Sequence, residues 1–134
     1  MIYLDYTANT PADPDVLDAY LAAERRYIAN PNSTHIAGQE ARAEMERVTQ
    51  SIAQHLGVQP AEIIYTSGAS EANNLALKGI AHASRHIGKH IISTQLEHSS
   101  VGASLSALQQ QGYEIDLVGI KQDGTVDLAH LREL

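Results

Sequence analysis

The amino-acid sequence predicts an α/β fold, part of a mostly parallel sheet flanked by helices. Three observations carry this. Short apolar runs at residues 62–65, 90–94 and 113–118 alternate with longer stretches of helical periodicity, the pattern of strand–helix–strand units. Turn and cap residues fall at the junctions, among them Asp13-Pro14, Gly57, Gly68, Gly112 and Asp123-Gly124. Hydrophobic residues make up 43% of the 134, which argues for a core and against disorder.

The elements follow in order. Residues 2–4 form a brief apolar run. Asp13 reads as an N-cap, Pro14 as the first helical residue and Asp15 as a dipole-favouring acid. Val16, Leu17, Tyr20 and Leu21 then recur at helical spacing, up to the turn Asn30-Pro31-Asn32-Ser33. A second helix, capped by Ser33 or Thr34, puts Ala41, Met45, Val48, Ile52 and Leu56 on one face and stops at Gly57. The run 62–65 reads as a buried strand, and a helix begins at Ser70. A strand follows at 90–94, then a helix from about Ser100 to Gly112. The strand 113–118 alternates Tyr113, Ile115 and Leu117 with Glu114 and Asp116. Asp123-Gly124 marks a turn, and Asp127 caps a last helix containing Leu128 and Leu131. That helix has about two turns before Leu134, against an average of about three, and three strands are few beside the usual five or six. Residues 1–134 are therefore expected to be one incomplete domain.

Composition excludes several functions. With 9 basic and 16 acidic residues the net charge is -7, so neither nucleic acid nor an anionic membrane surface is an expected partner. The absence of cysteine removes disulfides, thiolate nucleophiles and cysteine metal sites. No apolar run is long enough to span a bilayer, and a soluble, cytoplasmic protein is expected.

The candidate site residues lie in five places. Gly68, Ala69 and Ser70 join the run 62–65 to the following helix. A small-residue turn opening a helix presents unpaired N–H groups and the positive end of the dipole, which suits a phosphate. The N–H groups of Ala69 and Ser70 and the Ser70 hydroxyl would be the donors. The turn is neither a Walker A loop nor GxGxxG, and spacing alone leaves a plain N-cap at Ser70 equally open. His98 follows the strand 90–94, so ligand-binding logic for α/β sheets puts it on the same rim as 68–70; a solvated loop histidine is the other reading. His82 and His86, four apart, could share a helix face, but no further ligand is evident and no metal is expected. His35 sits at a helix start, with Gly38 so early in the helix that its cost of roughly 1 kcal/mol against Ala suggests close approach of backbone or ligand. Thr7 and Ala8 lie in the polar stretch Asp5-Tyr6-Thr7-Ala8-Asn9-Thr10, a simple turn or a substrate-facing loop.

In order, these segments resemble the N-terminal part of cysteine desulfurases, pyridoxal 5'-phosphate (PLP) enzymes of the class V aminotransferase family. The resemblance runs from Met1-Ile2-Tyr3-Leu4-Asp5 through Asn30-Pro31, Ser33, His35 and Gly38. It continues through Thr66-Ser67-Gly68-Ala69-Ser70-Glu71-Ala72-Asn73-Asn74 and Glu97-His98 to Asp123-Gly124 and Val126-Asp127. It implies the fold type I large domain, a homodimer, cysteine as substrate, a sulfur-acceptor protein and a place in iron–sulfur cluster assembly. It implies that Ala69-Ser70 holds the cofactor phosphate and that His98 stacks on the pyridine ring and moves protons. It also implies that Thr7-Ala8 lies by the substrate and His35 near the active-site entrance. PLP acts as an electron sink in such enzymes.

Two departures matter. The family pattern Asp-Asn-x-Ala-Thr-Thr reads here Asp5-Tyr6-Thr7-Ala8-Asn9-Thr10, and Ser70 replaces a threonine while keeping the hydroxyl. The lysines here are Lys78, Lys89 and Lys121, none after a Ser-x-His motif, and there is no cysteine. The family's Schiff-base lysine and sulfur-accepting cysteine lie farther along a longer chain. The expectation is an N-terminal segment, inactive alone, of a cysteine desulfurase. A selenocysteine lyase, another class V aminotransferase, or a non-catalytic remnant binding phosphorylated ligands or a partner chain are the alternatives.

Overall fold

The computed structural model describes residues 2–134, which fall into two units divided between Ile64 and Tyr65. In the first, helix α1 (Pro14–Arg26) starts as its cap chemistry predicts. The Asp13 carboxylate accepts from the Asp15 N–H at 2.8 Å, Pro14 needs no partner for its nitrogen, and Arg25 and Arg26 complement the C-terminal end of the dipole. Val16, Leu17, Tyr20 and Leu21 are all exposed, and α1 has no buried residue.

Helix α2 (Ile36–Leu56) ends at Gly57, whose φ of 69° lets its N–H reach the carbonyls of Ala53 and Gln54. Its start differs from expectation. His35, not Ser33 or Thr34, is the N-cap, with Nδ1 accepting from the Gly38 N–H at 3.3 Å. The reason is that the Ser33 N–H is bonded to the Asn30 carbonyl at 2.9 Å, so the chain is still closing the 30–33 turn there. The expected close approach at Gly38 is present. A Cβ on it would fall 2.5 Å from the Ser33 carbonyl oxygen and 2.9 Å from that of Asn30. A short 3-10 turn, Pro60–Glu62, follows, held by the Glu62 carboxylate accepting from the Gln59 N–H at 2.7 Å.

The run 62–65 is not a strand. Glu62 closes the 3-10 turn, Ile63 is extended, and among the described residues no strand lies alongside to complete a ladder. A strand is made by its pairing, and an apolar run cannot supply that alone.

The second unit holds helix α3 (Ala69–Ala83), strand β1 (His90–Thr94), helix α4 (Ser99–Gln110), strand β2 (Glu114–Val118) and helix α5 (Leu128–Glu133). Strands β1 and β2 pair in parallel with Ile91 opposite Ile115, and α4 is the crossover between them. The core is Leu108, Ala81 and Tyr113, with Ile91 and Ile115 against it. The Tyr113 hydroxyl donates to the Ala81 carbonyl at 2.8 Å, so the buried ring keeps its polar tip satisfied and one of the last carbonyls of α3 gains a partner. His90 and Asp116 meet across the strands at 2.8 Å. After β2, the Asp123 carboxylate accepts from the Thr125 hydroxyl and N–H, which holds its carboxyl below the usual range, and the chain turns at Gly124 with φ 83°. Asp127 caps α5 as predicted, accepting from the N–H groups of Ala129 and His130. No helix among the described residues is long and apolar enough to cross a membrane.

Candidate active site

The site begins at the start of α3. Gly68 is the residue before the helix and offers no side-chain cap; the first intrahelical bond runs from the Ala72 N–H to the Gly68 carbonyl. The helix thus starts at Ala69, and Ser70 is its second residue rather than its N-cap. This removes the plain capping role for Ser70. Gly68 is extended (φ 162°, ψ 178°) and a Cβ there would meet nothing within 4 Å. Neither conformation nor packing therefore demands glycine; its effect is to leave the helix start uncovered by a side chain.

Glu71 organises the approach. Its carboxylate accepts from the Ser67 hydroxyl and the Ser67 N–H, each at 2.6 Å, and these bonds hold its carboxyl below the usual range. This ties the turn 67–71 and occupies Ser67, while the N–H groups of Ala69 and Ser70, like the first donors of any helix, have no intrahelical partner.

His98 is the N-cap of α4 and exposed. Its Nδ1 lies 3.2 Å from the Ser100 N–H nitrogen and 2.9 Å from the Ser100 hydroxyl. The Asn73 side-chain amide, on α3, donates to that same hydroxyl at 2.9 Å. Asn73 lies three residues after Ser70 and so shares its helix face. A chain of hydrogen bonds therefore links the helix carrying Ser70 to the one capped by His98. The sequence expected a shared rim built on two strands; one of those strands is absent, and the link runs through Asn73 and Ser100 instead. Neither Asn73 nor Ser100 has an expected role from the sequence alone. A hydroxyl two residues after a capping histidine was the available signal.

Asn73 also lines a groove of about 490 Å³ with Ala76, Leu77, Thr94, Glu97 and Val101. Neither Ser70 nor His98 lines it, so the cofactor reading rests on the helix starts and not on this cavity.

Thr7 and Ala8 are exposed in a turn closed by the Ala8 and Asn9 N–H groups on the Asp5 carbonyl, both at 3.2 Å. His35 is exposed and caps α2. Both belong to the first unit, whereas Gly68, Ala69, Ser70 and His98 belong to the second. His82 and His86 do not share a helix, because α3 ends at Ala83, and His82 Nε2 is engaged by the Gln111 side chain at 2.8 Å. Lys78 lies within α3, and the Lys89 ammonium sits 5.7 Å from the Tyr113 ring centroid.

Comparison with known proteins adds to this geometry. The sequence model of the family described as Aminotransferase class-V matches residues 2–134. The chain is 44% identical over 131 residues to a cysteine desulfurase of Homo sapiens and 44% identical over 133 residues to a mitochondrial cysteine desulfurase of Arabidopsis thaliana. These alignments cover 97% and 98% of this chain but 29% of each relative's length. A NifS-like protein structure superimposes with a TM-score of 0.90 at 35% identity, over 99% of this chain and 36% of that one. SspA in complex with cysteine gives 0.84 at 33% identity, over 98% and 38%, and DndA from Streptomyces lividans gives 0.79 at 34%, over 98% and 37%.

Proposed function

The chain belongs to the class-V aminotransferase family, and from that premise we propose that it is the N-terminal portion of a PLP-dependent cysteine desulfurase. Residues 1–134 are read as one incomplete domain, the N-terminal segment and first part of the PLP-binding large domain. The observation that carries the cofactor reading is the start of α3, a helix of 15 residues whose first N–H groups face no capping side chain. The residues present fit a phosphate: main-chain donors at Ala69 and Ser70, a hydroxyl at Ser70, and a glycine at 68 that leaves the approach clear.

When bound, PLP supplies the electron sink for bonds broken at the substrate. The chain's own residues do the rest of the work assigned here. Ala69 and Ser70 would hold the phosphate by charge-assisted hydrogen bonds. His98 would face the cofactor and move a proton at the substrate. Thr7, Ala8 and His35 are read as substrate-side residues.

Cysteine as substrate is supported by the names of the relatives and by the SspA complex with cysteine. Those names favour a desulfurase over a selenocysteine lyase or a non-catalytic remnant. The same reading carries a homodimeric parent, a sulfur-acceptor protein, a part in iron–sulfur cluster assembly and a cytoplasmic location. Mitochondrial relatives in Arabidopsis and Drosophila make the organelle the competing compartment.

None of the three lysines follows a Ser-x-His motif, and no cysteine is present to accept sulfur. The 134-residue chain is therefore expected to release neither alanine nor sulfide when incubated with PLP and cysteine. Sustained production of both would contradict this assignment.

A further inference from the structure

We propose that Ser100 and Asn73 are positioning residues that lock the His98 ring in the tautomer with Nδ1 bare and the proton on Nε2. A main-chain N–H can only donate, so the Ser100 N–H at 3.2 Å requires a lone pair on His98 Nδ1. A hydroxyl has one proton and two lone pairs. The Asn73 amide N–H occupies a lone pair of the Ser100 oxygen at 2.9 Å, which leaves the hydroxyl proton for Nδ1, also at 2.9 Å. Two donors thus converge on one ring nitrogen, and the second is oriented from another helix.

Burial makes the arrangement stiff. Ser100 is 8% exposed, and its carbonyl accepts from the Ser104 hydroxyl at 2.8 Å, so the residue is held on both sides. The ring has its Nδ1 edge fixed to α4, and its Nε2–H is left as the group available to a ligand. Other histidines show that this is a local choice. His35 caps α2 through Nδ1 with the Gly38 N–H alone, at 3.3 Å. His55 places Nδ1 2.7 Å from the Ser51 carbonyl, which can only accept, and so carries its proton on Nδ1 itself.

The lock stands whether or not a cofactor binds; that its Nε2–H serves a PLP enzyme rests on the function proposed above. The test is therefore made without cofactor, so that its failure is separate from failure of that reading. Long-range proton–nitrogen NMR of the full 134-residue chain, at a pH above the ordinary imidazole range, reads both ring nitrogens of each histidine. His98 is expected to show a bare, hydrogen-bonded Nδ1 and a protonated Nε2, the reverse of His55. Ser100→Ala should move the Nδ1 resonance toward that of His35, since the main-chain donor survives, and Ser100→Thr should restore it. Asn73→Asp should cause the same displacement as Ser100→Ala, because a carboxylate draws the hydroxyl proton away from the ring. A protonated Nδ1, the same averaged pair of shifts for His98 and His55, or a His98 signal unmoved by Ser100→Ala and Asn73→Asp would overturn the proposal.

Discussion

Helix α1 of the first unit and helix α4 of the second are capped by side chains at the expected end, yet α1 buries nothing while α4 buries Ser100, Ser104, Leu105 and Leu108. The difference lies in what surrounds them. Helix α4 has α3 on one side and β2 after it, and Leu108 reaches complete burial with Ala81 and Tyr113. Helix α1 carries an apolar stripe that is half or more exposed at Val16, Leu17 and Tyr20. Cap chemistry acts within one turn and sets where a helix begins. Burial needs partners distant in sequence, and it decides how much a helix contributes to stability.

The contrast can be broken most sharply at Leu108. Leu108→Ala removes a fully buried side chain and should cost about 2–5 kcal/mol, read as lost denaturant resistance of α4 amide signals. A loss under about 1 kcal/mol would put the second unit on the same footing as the first. Gly38→Ala should come next. Its Cβ would strike the Ser33 carbonyl, backbone that cannot give cheaply, and a cost of about 1–3 kcal/mol is expected at α2. An unchanged or stabilised α2 would mean that the 30–33 turn moves freely. Leu17→Ala, at a position 50% exposed on α1, should shift stability by less than about 1 kcal/mol. A loss as large as that at Leu108 would show that the α1 stripe is covered in solution.

Much of this was legible beforehand, for identifiable reasons. Asp13-Pro14, Gly57, Asp123-Gly124 and Asp127 act through bonds to residues at most four away, and each is where it was expected. Strand β1 was read to the residue because an apolar, β-branched run is bounded by turn residues. The run 62–65 failed because pairing is a property of two segments. Among the site residues, the helix start at Gly68-Ala69-Ser70 was visible as local chemistry, although Ser70 proved to be inside the helix. Asn73 and Ser100 were invisible as a pair because the bond joining them spans 27 residues. The cap role of His98, by contrast, could have been read from its position two residues before Ser100.

The central claim is that the start of α3 holds the phosphate of PLP through Ala69 and Ser70. Equilibrium binding of PLP and of pyridoxal, which lacks the phosphate, to the chain and to its Ser70→Ala variant tests it directly. Loss of one hydrogen bond to a charged group predicts roughly tenfold or more weaker PLP binding in the variant, with pyridoxal binding unaffected. Equal affinity of the two proteins for PLP, or equal affinity of the chain for PLP and pyridoxal, would contradict it.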